Sequence, residues 1–145
     1  MSYEKRNTEL IQTLDDAWNA QDWDTFAKRH RADVIVRWPG KDPTHGIHDH
    51  RLEGIQMFKT FPDNRVENRP YKVFFASGEW TCSIARFTGT MKGPMPGPDG
   101  KDIPSTGKSF EVDFCTIARW DESEQIIEEN LFYDLVGLMT QIGLK

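Results

Sequence analysis

The chain has no long apolar segment and no excess of basic residues, and each absence removes a class of protein. Its mean hydropathy is −0.64, whereas a transmembrane helix needs about 20 consecutive, mostly apolar residues. The 145 residues include 18 Lys and Arg against 23 Asp and Glu, a net charge of −5. Nucleic acids and anionic membranes bind basic surfaces, so we expect neither as a partner. No apolar stretch follows the first residues, which predicts no signal peptide and a cytoplasmic location.

Cysteine is scarce, and the sequence motifs of common cofactor-dependent enzymes are missing. The two cysteines, Cys82 and Cys115, fit no metal-binding spacing. Both fall in predicted strands, where a free thiol behaves as a small apolar side chain. The sequence contains no Gly-rich phosphate loop, no nucleophile elbow and no Cys/His pair with a recognisable spacing. It therefore gives no support to an ATP-, NAD- or thiol-dependent enzyme.

The apolar pattern changes its period along the chain, from helical in the first half to alternating in the second. Helices grouped early and antiparallel strands grouped late predict an α+β fold, with helices covering one face of a curved sheet. The length predicts a single domain over residues 1–145. The predicted helices cover residues 4–20, a short segment from 22, about 47–61 and the chain from about 134; the predicted strands cover 34–38, 66–75, 80–91, 110–120 and 126–133.

One acid, Asp134, lies in an apolar segment where the last predicted strand runs into a C-terminal helix. Leu131, Phe132, Leu135 and Val136 are among its neighbours. Burial would raise the pKa of this carboxyl, and a carboxyl with a pKa near neutrality can take a proton from carbon at pH 7. Short acids are also favoured as the N-cap of a helix, and this alternative remains open.

The remaining polar candidates are a histidine cluster and two charged strand residues. His45, His48 and His50 precede the third predicted helix. Imidazole is a common metal ligand, but this spacing is not a standard metal motif, so we expect a solvated helix start and no metal site. One of the three could still face a pocket and hold a substrate oxygen. Arg86 and Asp113 have apolar neighbours, and they are expected either to form a cross-strand ion pair or to face a pocket.

Four short motifs follow one another over nearly the whole chain. Each is weak by itself, and together they are specific for a family but not for one reaction. They are Ala17-Trp18-Asn19, His45-Gly46-Ile47-His48, Pro104-Ser105-Thr106-Gly107-Lys108, and Tyr133-Asp134-Leu135 with the Gly137-Leu138 and Gln141-Ile142-Gly143 that follow it. In this series the chain resembles the SnoaL-like polyketide cyclases, which belong to the nuclear transport factor 2-like superfamily.

The resemblance implies a cone-shaped α+β fold with a deep apolar cavity, assembled as a homodimer. It also implies that Asp134 is the general acid/base. In such cyclases the aspartate takes an acidic carbon proton from a polyketide methyl ester, and the enolate attacks a ketone of the same molecule to close a ring. The implied ligand is a small apolar molecule with a carbonyl group. No metal and no organic cofactor are needed for this chemistry.

The resemblance further assigns residues to the pocket. Trp18 and Met57 match pocket-facing positions, whereas Phe114 and Thr116 stand where a characterised cyclase carries polar groups. This wall of the pocket is therefore expected to be less polar, and histidines near the third helix or the strand arginine could supply replacement donors. The expected pocket residues are Trp18, Trp38, His48, His50, Met57, Arg86, Phe114 and Thr116.

Two other functions remain open from the sequence. The protein could be a carrier whose cavity holds an apolar metabolite, with Asp134 acting only as a helix cap. It could also be a scaffold in which Trp18, Trp38, Trp80 and several phenylalanines fill the cavity. The Pro- and Gly-rich segment from Gly93 to Gly100 could cover the pocket or contact a second copy, and the sequence does not choose between these roles.

Overall fold

The structure is a computed structural model that describes residues 3–145, so the first two residues of the predicted domain lie outside it. The described chain contains four helices and nine strands. The helices are α1 (Tyr3–Ala20), α2 (Trp23–Lys28), α3 (Ile47–Thr60) and α4 (Leu135–Gln141). The strands are β1 (His30–Arg37), β2 (Thr44–His45), β3 (Arg65–Glu67), β4 (Val73–Ser77), β5 (Trp80–Thr90), β6 (Met95–Pro96), β7 (Asp102–Ile103), β8 (Ser109–Trp120) and β9 (Ile126–Phe132).

The first helix forms because its apolar side chains recur every three or four residues, which places them on one face. Ile11, Leu14 and Trp18 are buried on that face. The chain then reverses at Gln21, which has a φ of 55°, and Asp22 caps α2 by accepting a hydrogen bond from the Thr25 backbone N–H. The two helices are therefore held in contact at the narrow turn between them.

Seven strands form one sheet in the order β2-β1-β9-β8-β5-β3, with β4 also paired to β5. The pairs are antiparallel except for β1 and β9, which run parallel. The expectation of an entirely antiparallel sheet is wrong at this pair, because α3 and most of the sheet separate the two strands in sequence. This crossover brings the start of the chain's first strand beside its last strand.

The prediction of one strand over residues 66–75 is also wrong. The segment forms two strands, β3 and β4, which both pair with β5. Pro70 lies in the connection between them, and the Arg69–Pro70 peptide bond is cis. Proline has no backbone N–H to give to a sheet, which explains why the pairing is interrupted there.

The core lies between the helices and the concave face of the sheet. Along β5 and β8 the buried positions alternate with accessible ones over almost the full length, because successive side chains of a strand point to opposite faces. The predicted α+β architecture, with helices on one face of a curved sheet, is confirmed. The largest buried side chains of this core include Trp120, Phe87, Ile11, Met91, Ile126 and Ile142.

The Pro- and Gly-rich segment is part of a small hairpin. Met95 and Pro96 form β6, which pairs with β7. The segment is attached to the end of α3, since the Thr60 hydroxyl donates to the Pro94 carbonyl at 2.9 Å and the Gly93 N–H donates to the Thr60 carbonyl. The hairpin therefore sits beside α3.

No helix within residues 3–145 combines the length and the apolar composition required to cross a membrane. The cytoplasmic location and the homodimer stay predictions.

Gly54 of α3 packs directly against tryptophan rings of the two N-terminal helices. A Cβ atom there would lie 2.6 Å from Trp23 Cζ3 and 3.0 Å from Trp18 Cζ3. We expect Gly54→Ala to lower the free energy of unfolding by about 1–3 kcal/mol, because overpacking outweighs the better helix propensity of alanine. Urea denaturation measures this. His48→Ala, at an exposed position of the same helix, is the control, and equal stability of Gly54→Ala and the wild type would contradict the packing.

Candidate functional site

An internal cavity of about 40 Å³ lies between the helices and the concave face of the sheet. Most of its wall is apolar, and the four ionisable or hydroxyl side chains in it are Asp15, His50, Thr116 and Glu129. The full lining is Leu14, Asp15, Trp18, Phe26, Trp38, His50, Met57, Val66, Phe87, Phe114, Thr116, Glu129 and Leu131. A space of this size holds only a few water molecules.

A larger open groove of about 1010 Å³ lies outside this cavity. It runs between α3, the connection after β1 and the β6 hairpin, and its wall includes Leu52, Phe61, Met95 and Tyr133. Trp38 and Met57 line both spaces, so these two side chains form the partition between the groove and the inner cavity.

Asp15 is the carboxyl that α1 presents to the inner cavity. The Tyr71 hydroxyl donates a hydrogen bond to Asp15 Oδ2 at 2.5 Å. Burial raises the pKa of Asp15 to about 7, against the Tyr71 hydrogen bond, which lowers it, and with further increases from the negative charges of Glu129 and Asp16. Asp15 is therefore close to half-ionised at neutral pH, the condition that general acid/base catalysis requires.

His50 and Glu129 line the same cavity, and the buried His30 contacts Glu129 beside them. His30 Nε2 lies 2.9 Å and His50 Nε2 lies 3.1 Å from the same atom, Glu129 Oε1. Burial alone would raise the pKa of Glu129, but the two histidines hold it well below its usual range. Burial alone would lower the pKa of His50, but Glu129 and Glu53 outweigh it and raise that pKa to about 9.

Glu53 holds His50 and Trp38 in position from the groove side. Its carboxylate lies 3.2 Å from His50 Nδ1 and accepts hydrogen bonds from Trp38 Nε1 at 3.0 Å and from the Thr44 hydroxyl at 2.7 Å. Lys41 forms an ion pair with the same group. Burial by itself would raise the pKa of Glu53, but these partners lower it to about 2, so this carboxylate is ionised at neutral pH.

The structure places six of the eight expected pocket residues on the inner cavity, and their contact with a substrate stays a prediction. Trp18 donates its indole N–H to Asn64 Oδ1 at 2.7 Å. Phe114 stacks on Tyr133, a residue of the groove, with ring centroids 5.4 Å apart. The six residues are Trp18, Trp38, His50, Met57, Phe114 and Thr116.

The expectation that Asp134 lies inside an apolar cavity is wrong. The residue is exposed, and its carboxylate caps α4 by accepting a hydrogen bond from the Gly137 N–H at 2.8 Å. The neighbouring Phe132 and Val136 are 54% and 56% exposed. Of the apolar side chains directly before Asp134, only that of Leu131 is buried. The helix-cap alternative describes its position, and Asp134 lines neither the cavity nor the groove.

The expectation that His48 and Arg86 line the pocket is also wrong. His48 is exposed in the first turn of α3, because only one of two histidines spaced by two residues can face the core of a helix. Arg86 lies on the outer face of β5, where it forms ion pairs with Glu67 and Glu111. Arg86 thus does not face the pocket, and the expected ion pair with Asp113 is wrong as well, because Asp113 pairs with Lys72 at 2.6 Å instead.

Sequence reasoning missed Asp15, His30 and Glu129. Asp15 follows Ile11 by four residues and therefore continues the apolar stripe of α1, which is a signal that the periodicity contains. His30 and Glu129 carry no comparable signal, because they are 99 residues apart in the chain and meet only through the parallel pairing of β1 and β9.

Comparison with known proteins places this architecture in a family. The family model of the SnoaL-like polyketide cyclases matches residues 8–142. Among curated proteins, none matches the chain. A solved structure from Jannaschia sp. CCS1, assigned to the SnoaL-like polyketide cyclases, has a TM-score of 0.86 and 25% identity, covering 100% of this chain and 96% of that chain.

Two more distant structures share the fold alone. A protein of ketosteroid isomerase-like fold from Catenulispora acidiphila DSM 44928, in complex with trimethylamine, has a TM-score of 0.75 and 17% identity, with 94% of each chain covered. An epoxide hydrolase from M. tuberculosis, similar to the LEH enzymes, has a TM-score of 0.74 and 11% identity, covering 97% of this chain and 92% of that chain. The predicted cone-shaped, nuclear transport factor 2-like fold is confirmed.

Two substitutions of Asp134 test whether its carboxylate does more than cap α4. We expect Asp134→Ala to lower the free energy of unfolding by about 1 kcal/mol, whereas Asp134→Asn stays close to the wild type because asparagine caps helices as well as aspartate does. Urea denaturation at pH 7 measures both. Equal destabilisation by the two variants would show that the carboxylate does more than cap α4.

Asp15 should make the protein less stable as the pH rises. Its pKa in the folded state, about 7, exceeds the ordinary value of 3.8, so the folded chain holds a proton that the unfolded chain has released between these pH values. The contribution of Asp15 to the free energy of unfolding is therefore fully present below about pH 4 and is lost as the pH rises through 7. The loss amounts to up to about 4 kcal/mol.

The measurement is the free energy of unfolding of chelator-treated protein between pH 4 and 8. We expect Asp15→Asn to remove the contribution of Asp15 to this slope and Asp134→Asn to keep it. His50, whose pKa is raised from 6.5 to about 9, adds a loss of stability above about pH 6.5 in all three proteins. The same slope in the wild type and in Asp15→Asn would place the pKa of Asp15 near its ordinary value. The charged or titratable groups that act on Asp15 are Tyr71, Glu129 and Asp16, and all three remain in both variants.

Proposed function

Since this chain belongs to the SnoaL-like polyketide cyclase family, we propose that it is a cyclase- or isomerase-type enzyme that uses a pocket aspartate as general acid/base, and that this aspartate is Asp15. The observation that carries the proposal is a carboxyl with a pKa of about 7 in the wall of an apolar cavity. Asp134, the residue favoured by the sequence, caps a helix at the surface and has no access to the cavity.

The proposed reaction begins when the Asp15 carboxylate takes a proton from a carbon next to a carbonyl group of the substrate. The electron pair of that C–H bond forms an enolate, which attacks a second carbonyl of the same molecule and closes a ring. The resulting alkoxide then takes the proton from the Asp15 carboxyl, so the residue returns to its starting state. Tyr71 holds the carboxyl in one orientation through its hydrogen bond to Oδ2.

The two connected spaces suit a substrate with a reactive end and a larger apolar body. The inner cavity alone is too small for an organic substrate, whereas the groove is within the size range of ligand sites. In the proposed complex the apolar body lies in the groove and the acidic carbon enters the cavity past Met57. Methionine is unbranched and flexible, so it can move aside at low cost, while Trp38 is held by its hydrogen bond to Glu53.

A carrier protein is the second candidate, and the partition favours it. If Trp38 and Met57 stay in place, a ligand occupies the groove of about 1010 Å³ and never reaches Asp15. Such a ligand would be bound without chemistry. The scaffold alternative is weaker, because Trp80 lies on the outer face of the sheet and leaves the groove open.

The test is deuterium exchange at the acidic carbon of aromatic β-keto methyl esters, followed by NMR in D2O. We expect wild-type protein to accelerate exchange and cyclisation, with a rate that rises with pH and levels off above about 7. Asp15→Asn should lower the rate by about 10²–10⁴-fold, the usual contribution of a general base.

Asp134→Asn is the control and should keep the rate. Full activity in Asp15→Asn would contradict the assignment of Asp15. If the wild type gives no exchange but an ester saturably quenches its tryptophan fluorescence, the protein is a carrier.

A further inference from the structure

Three electron-pair donors converge on one point beside the inner cavity. They are one ring nitrogen each of His30 and His50 and a carboxylate oxygen of Glu129, and these ligand atoms lie within 4.8 Å of one another. His30 and His50 are each 2% exposed and Glu129 is 5% exposed. The three residues come from β1, α3 and β9, so the fold and not a local motif brings them together.

If both imidazole rings are neutral, no hydrogen atom lies between either Nε2 atom and the Glu129 carboxylate. His30 Nδ1 lies 2.7 Å from the Phe26 carbonyl oxygen, which can only accept, so Nδ1 carries the hydrogen and Nε2 presents a lone pair. His50 Nδ1 faces the Glu53 carboxylate at 3.2 Å in the same way. With neutral rings, two lone pairs would face a carboxylate oxygen, so either ring protons or a metal ion must lie between the ring nitrogens and Glu129.

The second ring nitrogens of His30 and His50 make the hydrogen bonds that are typical of metal-binding histidines. A metal-binding histidine donates its other ring N–H to a backbone carbonyl or a carboxylate, which fixes the tautomer and the orientation of the ring. His30 has the Phe26 carbonyl in this role and His50 has Glu53. Glu53 is itself fixed by Trp38 and Thr44. Both imidazoles are thus oriented with Nε2 toward Glu129.

We propose that His30, His50 and Glu129 bind one divalent transition-metal ion of the Zn²⁺ or Fe²⁺ type. Two imidazoles and one carboxylate suit these ions, whereas Mg²⁺ and Ca²⁺ prefer oxygen ligands alone. A tetrahedral ion with bonds of about 2.0–2.1 Å separates its ligand atoms by about 3.4 Å. The separations of 2.9 and 3.1 Å from Glu129 need to open by a few tenths of an ångström, and the two imidazole nitrogens, which lie within 4.8 Å of each other, need to reach the same spacing.

Such an ion would keep coordination positions open toward the cavity. His50 and Glu129 both line that space, and three protein ligands with one free position are the arrangement of catalytic metal sites. The free position would take a small oxygen donor, either water or a carbonyl or carboxylate group. The inference departs from the sequence-based expectation of no metal, and it does not rest on the proposed reaction, because binding is measured without substrate.

The test is titration of chelator-treated protein with Zn²⁺ and Co²⁺ at pH 7, with Mg²⁺ as a comparison. We expect one Zn²⁺ or Co²⁺ per chain, a rise in the melting temperature, and Co²⁺ absorption bands without a thiolate charge-transfer band. Mg²⁺ should have no effect. Glu129→Gln and His50→Gln should weaken binding at least 100-fold, and Glu53→Gln by about 10–100-fold because it orients His50.

His48→Gln, which changes an exposed histidine two residues from His50, is the matched control and should bind as the wild type does. The wild-type titration decides the proposal even if a core variant fails to fold. No binding by wild-type protein at millimolar Zn²⁺ would show that protons alone hold the cluster together. A thiolate band, or an equal loss in His48→Gln, would place the ion on Cys82 and Cys115 or on the surface, and would overturn the proposal.

Discussion

The carboxylate of Glu129, shared by two buried imidazoles, is the interaction on which the site depends. A charged group in an apolar interior is costly unless oppositely charged or hydrogen-bonded partners surround it. Here the partners are His30, at the start of β1, and His50, on α3. The parallel pairing of β1 with β9 and the seating of α3 must therefore both be correct before Glu129 can be buried. The polar cluster thus constrains the relative positions of three elements that apolar packing alone would leave free to slide.

The same cluster organises the route from the groove to the cavity. Glu53 contacts His50 on one side and holds the Trp38 indole on the other, so the partition residue and the buried histidine share one anchor. Met57, the other partition residue, has no such anchor among the described contacts. Asp15 approaches the cavity from α1 on the opposite side and is paired with Tyr71. The wall formed by Trp38 and His50 is therefore held by the charged Glu53. The passage between the groove and the cavity is closed by the flexible side chain of Met57.

The sequence identified acidic side chains within apolar patterns, but it did not show which of these side chains are buried. Asp134 and Asp15 both interrupt apolar patterns, yet only Asp15 continues the buried stripe of a long helix. Asp134 stands where the chain leaves β9 and begins α4, and the free N–H groups of a helix start compete for its carboxylate. At Pro70 the alternating pattern continues through a position that has no N–H to pair. The pattern records which side chains are apolar, and it does not record which backbone groups still need partners.

Several features of this protein were determined by the sequence itself. The period of the apolar residues set the helices and strands, their order set the α+β layers, and the motifs from Trp18 to Gly143 set the family. Tertiary structure decided the chemistry of the site. The parallel neighbour of β9, the meeting of His30 with Glu129 across 99 residues, and the exposure of Asp134 follow from how the sheet closes and how α3 packs on it. A pKa and a donor set depend on distances of a few ångströms in three dimensions, and no local sequence pattern contains those distances.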